Sequence, residues 1–516
     1  MSPGNHQYDF IVVGGGSAGA VVASRLSENP NVTVLLIEGG KAFPVDQYPK
    51  EVASSSFVYG TPDIWWGIPE KNRAGQPKEA IRTKILGGGS AINACVWVRA
   101  LPTDFKRWTE EYGLEGWSFE DVLPYFKKSE DDDIQVEGSI GYHGVGGPTH
   151  VHRYSPEDIS SLHTSSWKAM AAAGHPEVQD FNGKFTLGVG AFPFNIKDNK
   201  RLHTGITYLN NGVRDRPNLT IISETTVDKI IFEGTTATGI ITTEGVEFTT
   251  LKEVILTAGA IGTGSILIRS GIGPKEDLEK LSISVIANLP VGKNLQDHGC
   301  IYNIFSIKSD SLKIEDGMPL LTPYLWTAST TAKTGEQDLH IVPTGLADPK
   351  LFPDGSGLAF LLACVRPEAR GSLKLISKDA EQAPLIDANL FGDKRDILKI
   401  IDAISLTSKI MQSGPMVDAS LGRVYPPPDM MDTETLSKWI SDEAMSYHHI
   451  TSTAPMGRVG DARAVVDSHG RVFGIQGLRI ADASCHPDVV SAAINPTTIA
   501  VAEKITHDIQ GGSYRG

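Results

Sequence analysis

Three glycines with GxGxxG spacing constrain the fold of this chain more than any other feature. An apolar run, Asp-Phe-Ile-Val-Val at residues 9–13, precedes them and is typical of a strand buried on both faces of a parallel sheet. A helical pattern follows from Ala18 to Leu26, and a second apolar run covers residues 32–37. This strand–turn–helix–strand order predicts an α/β fold that begins with a doubly wound parallel sheet.

The same glycines predict a dinucleotide site. Gly14 allows a tight turn, Gly16 lets backbone N–H groups approach a pyrophosphate, and Gly19 permits close packing of strand and helix. A helix that begins near Ser17 offers partial positive charge to the phosphates. Glu38 ends the second strand, where a carboxylate accepts hydrogen bonds from ribose hydroxyls and disfavours NADP. An ordinary glycine-rich turn is the alternative, and the motif alone does not separate FAD from NAD.

The other strand signals lie far apart in the 516 residues, which is length enough for several domains. They predict one sheet assembled from distant segments, with strands near 219–222, 229–232, 254–257 and 478–481 and a last helix near 497–509. Residues 150–215 and 300–450 alternate short polar and apolar pieces and predict a second domain, inserted twice. The acidic run at residues 129–133 is interpreted as a solvated loop.

Composition excludes several classes of function. With 47 Lys and Arg against 61 Asp and Glu, the net charge of −14 disfavours binding to nucleic acid or to an anionic membrane. No stretch approaches the ~18 apolar residues of a membrane span, and the short segment before the first strand leaves no room for a signal peptide. We therefore expect a cytoplasmic protein with reduced thiols, since the cysteines are widely spaced at Cys95, Cys300, Cys364 and Cys485.

A second glycine block, Ile-Leu-Gly-Gly-Gly-Ser-Ala-Ile-Asn at residues 85–93, suggests a cofactor held along its whole length. With this block the chain resembles the glucose-methanol-choline (GMC) oxidoreductases, the FAD-dependent alcohol oxidases and dehydrogenases, in which G-G-x-S-x-x-N wraps the flavin and the pyrophosphate. Some relatives bond FAD covalently through a His where this chain has Asn93, so the resemblance implies non-covalent FAD. It assigns to the FAD site Leu86, Gly87, Gly89, Ser90, Asn93, Ala94 and Val96.

Further motifs extend the resemblance over about residues 8 to 510. Residues 259–263 with 270–274 resemble a second family signature, and residues 291–298 match V-G-x-N-L-Q-D-H. Val227 falls where the family contacts adenine, and Asp482 with Ala483 falls in the G-L-R-V-x-D-A-S segment near the ribityl chain and pyrophosphate. The implied FAD-binding domain comprises residues 1–150, 216–300 and 451–516, and the implied α+β substrate domain, on an antiparallel sheet, comprises 151–215 and 301–450.

The resemblance also points to the catalytic base. Residues 449–457 fit the family pattern H-x-x-G-T-[CA]-x-M-G with Ser452 in place of the glycine, which makes His449 the base. His448 then stands where the family commonly has an aromatic residue near the flavin. A neutral imidazole can accept an alcohol proton, so we expect the rate to rise with pH through an apparent pKa near neutrality.

One position departs from the family. The first Asn or His of N-x-N-A-P-T, the second active-site group, aligns with Ala493, whereas Asn495 with Pro496 and Thr497 matches the second Asn along the flavin edge. Two alternatives follow: the enzyme works with one polar base, or a local backbone shift lets Asn495 substitute. His486 is a further candidate for a catalytic role.

The predicted function is FAD-dependent oxidation of a small alcohol, aromatic and heteroaromatic alcohols being candidates, with hydride transfer to flavin N5 and O2 or another electron acceptor as the partner. A hydroxynitrile lyase or another non-redox flavoprotein on the same fold is the alternative. An NAD-dependent dehydrogenase would leave the second glycine block and the His449 motif without a role. No metal site is predicted, because HExxH and closely spaced Cys/His pairs are absent from the sequence.

Overall fold

The first sheet, which we call the nucleotide sheet, joins segments from both ends of the chain. The computed structural model describes residues 7–71, 77–308, 321–344, 352, 356–430 and 432–511. In spatial order the sheet contains Leu219–Ile222, Val34–Ile37, Gln7–Val13, Glu247–Leu256, Thr236–Thr242 and Val227–Glu233, with Leu478–Ile480 paired to Glu247–Leu256.

The register of the nucleotide sheet explains its apolar strands. Val12 lies opposite Leu36 on one side and Ile255 on the other, in parallel pairs, and all three side chains are fully buried. Leu478 pairs in parallel with Val254. The predicted parallel sheet of distant segments is confirmed for five strands. The other two form antiparallel pairs at one edge, so the sheet is mixed.

A second sheet, the substrate sheet, is antiparallel throughout its described pairs, as predicted for the second domain. In spatial order it contains Ser420–Tyr425, Gly299–Ile307, Gly357–Cys364, Leu339–Thr344, Tyr324–Thr327 and Gly188–Gly190, with Met445–Ser446 paired to Gly299–Ile307. A smaller four-stranded sheet lies in the order Ser372–Lys374, Leu385–Asp387, Ile68–Lys71 and Pro77–Ala80.

The remaining elements are helices and short strand pairs. The described helices are Ser17–Leu26, Lys50–Ala53, Pro62–Ile64, Gly88–Ala91, Pro102–Glu110, Phe119–Ser129, Ser161–Ala172, Thr204–Thr207, Asn211–Arg214, Gly259–Arg269, Lys275–Lys280, Lys394–Ile410, Met416–Ala419, Thr433–Asp442, Ala483–Cys485 and Ile494–Ile509. The strand pairs are Glu130–Asp131 with Thr149–His150, His152–Arg153 with Pro193–Phe194, Ile196–Lys197 with Lys200–Arg201, and Ile272–Gly273 with Ala287–Asn288.

The acidic run is not a solvated loop, and that prediction was wrong. Glu130 and Asp132 are buried, at 0% and 3% exposure. Arg99 forms an ion pair with Glu130, and Arg153 lies 2.9 Å from Asp132. Burial opposes charge on His143, yet its bonds to surrounding carboxylates raise its pKa to about 10. Although Glu130, Asp132 and His143 could geometrically hold a metal ion, the two arginines already compensate the carboxylates.

Two features bear on cellular context. Among the described residues, no helix is both long and apolar enough to cross a membrane. All four cysteines are buried and unpaired.

Candidate active site

A cavity of about 1030 Å³ is lined from both large sheets and from the four-stranded sheet, at the upper end of the range of small-molecule sites. Most of the predicted site residues meet on its wall. Those that line it are Gly14, Gly16, Ser17, Ala18, Glu38, Gly89, Asn93, Ala94, Val96, Val227, His448, His449, Asp482, Ala483 and Asn495.

The other predicted cofactor residues are not on the cavity wall, namely Leu86, Gly87, Ser90, Pro496 and Thr497. Their surroundings explain why. The Ser90 hydroxyl turns away and donates to the Gly87 carbonyl at 2.6 Å, and Leu86 and Thr497 are fully buried. These residues pack behind the cavity wall and support the backbone of the residues that line it.

The first glycine turn fits a dinucleotide phosphate. Gly14 has φ +98°, and a Cβ on Gly19 would lie 1.8 Å from the Gly14 carbonyl oxygen, so strand and helix touch there. At Gly16 a Cβ would find its nearest atom, the Gly88 Cα, at 3.8 Å. No side chain caps the helix that starts at Ser17, which leaves its N–H groups for an anion.

Glu38 organises the same turn. Its two carboxylate oxygens accept hydrogen bonds from the backbone N–H groups of Gly15 and Gly40, each at 2.7 Å. Burial raises the pKa of Glu38 to about 7, against the lowering effect of these two bonds. Glu38 therefore holds the loop around the nucleotide site and also presents a face to the cavity.

Replacing Glu38 with alanine is expected to weaken FAD retention while leaving the chemical step unchanged in fully loaded enzyme. Hydrogen bonds to a charged carboxylate contribute about 1.5–3 kcal/mol, so the dissociation constant of FAD should rise at least tenfold. Glu38→Gln, which keeps one acceptor oxygen and the size, is the control and should lie between. FAD titration of the apoproteins measures this, and equal affinity in all three would make Glu38 a structural acid only.

The Asp482 carboxylate links two distant segments of the predicted FAD-binding domain. Its carboxylate accepts from Gly259 N at 2.8 Å, Thr263 Oγ1 at 2.6 Å and Ser484 N at 2.8 Å. Burial raises its pKa, and these bonds oppose that rise. The carboxylate thereby fixes the helix start at Gly259 against the cavity.

Asn495 carries an unused donor at the cavity. Its Oδ1 accepts from Ser17 Oγ at 2.7 Å, whereas its buried Nδ2 has no hydrogen-bond partner. A buried amide without a partner is costly, so a ligand that accepts from it fits this site. The last helix begins at Ile494 with Ala493 as its N-cap, and Ala493 lines the cavity. Asn495 lies in the first turn of that helix.

His448 and His449 lie on one clamped turn. The His449 N–H donates to Asp297 Oδ1 at 2.8 Å, and Asp297 Oδ2 accepts from the Ser446 hydroxyl. His448 has a left-handed φ of +64°, and its N–H donates to Ser446 Oγ at 2.8 Å. The His449 Nδ1 atom lies 2.9 Å from His298 Nδ1. The turn thus holds both imidazoles at the cavity.

The surroundings of His449 favour a lower pKa than the value near neutrality that the sequence suggested. Burial lowers its pKa well below the usual 6.5, because the cavity wall disfavours the charged form. The nearby His298, His448 and Arg82 lower it further. Burial and Arg82 likewise lower the pKa of His448 to about 4. Both imidazoles are therefore neutral at neutral pH, as a base requires.

Sequence reasoning missed two histidines and included one that does not fit. His298 is the last residue of the V-G-x-N-L-Q-D-H segment, and its place in this family motif could have identified it as a site residue. His340 lines the cavity, with its Nε2 atom 3.1 Å from the Tyr324 hydroxyl, and its apolar strand gave no signal. His486 is fully buried against Trp108, with ring centroids 5.4 Å apart, and is not a wall residue.

Comparison with known proteins identifies the family of this chain. The profiles of the GMC oxidoreductase family match residues 8–300 and 367–502. An oxygen-dependent choline dehydrogenase of Ectopseudomonas mendocina (strain ymp) is 33% identical over 98% of this chain and 94% of its own. A 5-(hydroxymethyl)furfural oxidase of Methylovorus sp. (strain MP688) is 33% identical over 97% of this chain and 98% of its own.

The fold comparison points the same way. The crystal structure of pyridoxine 4-oxidase from Mesorbium loti superposes with a TM-score of 0.88 and 25% identity, covering 98% of this chain and 100% of that one. These relatives are redox enzymes, which disfavours the lyase alternative. The open glycine turn, the unpaired Asn495 amide and the neutral His449 fit FAD and an alcohol. The chain belongs to the GMC oxidoreductase family and is an FAD-dependent enzyme that oxidises alcohols.

Proposed function

We propose that this enzyme oxidises a small, neutral aromatic or heteroaromatic alcohol to its aldehyde or ketone, with His449 as the base. The observation that carries the proposal is the composition of the cavity wall around the His448–His449 turn. Aromatic and apolar side chains dominate there, namely Tyr59, Phe192, Tyr302, Leu361 and Tyr447. Such rings favour a flat apolar ligand through offset or edge-to-face contacts.

The charges on the wall favour a neutral substrate. The substrate-sheet side chains on the cavity, in the described strands, include no carboxylate: Cys300, Tyr302, His340, Val342, Leu361, Met445 and Ser446. The carboxylates on the wall belong to other elements: Glu38, Glu70, Glu79, Glu381, Asp387 and Asp482.

The positive charge of Arg82 adds to this selection. Its guanidinium lines the cavity and acts on His448 and His449, lowering the pKa of both. Aromatic rings can bind a quaternary ammonium, but here the cation would lie near Arg82, whose charge Asp297 and Glu70 offset in part. Choline, which names one group of relatives, is therefore disfavoured as a substrate.

The reaction follows from these groups. The alcohol O–H donates to His449, whose neutral imidazole takes the proton as the carbon loses a hydride. FAD, when bound, supplies the ring nitrogen N5 that accepts the hydride. Gly16 and Ser17 would hold the cofactor by their backbone N–H groups, and Asn495 by its Nδ2 group. The N–H of Gly14 already donates to the Ile37 carbonyl at 2.8 Å, so Gly14 contributes the shape of the turn. The aromatic wall excludes water and orients the carbon.

An alcohol panel tests the substrate class. Anaerobic stopped-flow reduction of the flavin would compare benzyl-type, furfuryl-type and short aliphatic alcohols with choline, each over a concentration series. We expect the neutral aromatic alcohols to give the highest ratio of reduction rate to dissociation constant. Faster reduction by choline would contradict the proposal. No bleaching with any alcohol would instead favour a non-redox flavoprotein.

The pH profile provides a second prediction. Because burial lowers the pKa of His449 well below 6.5, its neutral form already dominates at neutral pH. The rate of flavin reduction should be flat from about pH 6.5 upward and fall only in acid, as His449 becomes protonated. Stopped-flow reduction at saturating alcohol measures it. A rate that rises steeply between pH 7 and 9 would show that another group, or a charged His449, controls the step.

FAD is expected to leave the protein on acid or heat treatment. Asn93 lines the cavity, and its Oδ1 accepts from Cys95 N at 3.0 Å. The family resemblance implies that relatives with covalent FAD have a His at this position. An amide offers no nucleophilic nitrogen for a bond to flavin. Precipitation followed by absorbance of the supernatant measures this. Yellow colour that remains in the pellet would contradict it.

O2 or another electron acceptor reoxidises the flavin, and mixing reduced enzyme with O2 distinguishes these. The domain division 1–150, 216–300 and 451–516 against 151–215 and 301–450 is supported by the two sheets. A cytoplasmic location is supported by the four unpaired thiols, and absence of nucleic-acid binding by the net charge of −14.

A further inference from the structure

The His449 imidazole contacts a second imidazole, that of His298. His298 Nδ1 lies 2.9 Å from His449 Nδ1, and the rings are nearly perpendicular at 87°. Two neutral imidazoles at this distance form a hydrogen bond when one nitrogen carries the proton and the other accepts it. The contact therefore couples the tautomers of the two residues.

The chemistry of a base decides the direction of this bond. If His449 takes the alcohol proton at Nε2, its other nitrogen, Nδ1, must carry the ring proton and donate to His298. His298 then accepts at Nδ1 and carries its own proton at Nε2. Burial lowers the pKa of His298 to about 3, against the raising effect of the backbone carbonyls of Val490 and Val365, so the ring carries one proton at neutral pH. No hydrogen bond of standard geometry reaches its buried Nε2 atom.

Backbone hydrogen bonds hold the two imidazole rings in fixed positions relative to each other. One carboxylate oxygen, Asp297 Oδ1, accepts from the N–H groups of both His298 and His449, each at 2.8 Å. Tyr447 N donates to the His298 carbonyl at 2.9 Å. His298 is fully buried and precedes the strand Gly299–Ile307 of the substrate sheet. The pair is thus held by rigid elements on both sides.

We infer that His298 is a positioning residue that holds His449 in the tautomer with its proton on Nδ1, leaving Nε2 free to accept from the alcohol. This inference rests on the proposed role of His449. A residue that fixes the tautomer of a base can contribute as much as roughly 10⁴-fold to rate where its partner is charged. A neutral partner such as His298 should contribute less, at least about tenfold.

Two variants separate positioning from packing. His298→Asn places an amide oxygen close to the Nδ1 position and preserves an acceptor, whereas His298→Leu fills similar space without one. We expect His298→Leu to retain FAD but lose at least about tenfold in flavin reduction, and His298→Asn to recover most of that loss. Equal losses in both variants, or none in His298→Leu, would overturn the inference.

The pH profile adds a readout that packing would not move. A tautomer defect persists when every base is neutral, so the deficit of His298→Leu should remain at alkaline pH, whereas a deficit caused by a raised pKa of His449 would disappear there. The titratable and charged groups that face His449 in this comparison are His298, His340, His448, Arg82, Asp297 and Tyr447. Disappearance of the deficit at high pH contradicts positioning.

A measurement without turnover separates this inference from the proposed function. Spectra of the oxidised holoenzyme labelled with ¹⁵N-histidine report which His449 nitrogen carries the proton, with the resonances assigned by their loss in His449→Asn. We expect Nδ1 protonated in the wild type and a tautomer mixture in His298→Leu. Protonation at Nε2 in the wild type overturns the inference even if alcohols reduce the flavin. Protonation at Nδ1 supports it even if none does.

Discussion

Replacing His449 with alanine is expected to leave FAD bound and to slow flavin reduction by roughly 10²- to 10⁴-fold, the usual contribution of a general base. This corresponds to about 3–5 kcal/mol of transition-state stabilisation. FAD should stay because the glycine turn and Asn495 carry the free donors, whereas the His449 ring contacts His298. Stopped-flow reduction with the best alcohol measures the loss.

His448→Ala is the matched control for this result. His448 also lines the cavity, but its ring packs edge-to-face on Tyr59 with centroids 5.0 Å apart. Its loss should therefore cost less than that of His449. Collapse in His448→Ala with near-normal reduction in His449→Ala would reverse the two roles. Near-normal reduction in both would move the base elsewhere, with His340 as the next residue to test.

Gly19→Ala is expected to destabilise the fold and abolish FAD binding. The new Cβ would lie 1.8 Å from the Gly14 carbonyl oxygen and 2.8 Å from Thr257 Oγ1. Because the first of these atoms is backbone, the strand and helix must separate. Overpacking of this kind costs about 1–3 kcal/mol and sometimes more. Thermal unfolding and the FAD-to-protein ratio measure the two effects.

Gly16→Ala isolates the cofactor effect. Its Cβ would meet the Gly88 Cα at an ordinary 3.8 Å, so the apoprotein should unfold at the wild-type temperature. The added methyl faces the cavity where the phosphates approach, so FAD affinity should fall. Unchanged FAD binding in Gly16→Ala would place the pyrophosphate elsewhere. Wild-type stability of Gly19→Ala would show that the contact at Gly14 relaxes freely.

Local patterns were sufficient to predict the architecture. The apolar runs at residues 9–13 and 32–37 and the glycines between them determine a strand–turn–helix–strand unit, since each requirement concerns neighbours within 30 residues. The His449 motif was equally readable, because the turn that presents the base is a short contiguous segment. The antiparallel substrate sheet followed from family resemblance, and its strand bounds could not be read from the irregular segments.

The sequence by itself thus determined the α/β class and FAD as the cofactor, and it predicted His449 as the base. Only the tertiary structure decided the charge state of His449 and its contact with His298, 151 residues away. It also buried Glu130 and Asp132 of the acidic run, whose partners Arg99 and Arg153 come from different segments. Burial and charge pairing depend on which distant side chains come into contact in the folded protein. Such contacts produce no periodic pattern in the sequence, so they could not be predicted from it.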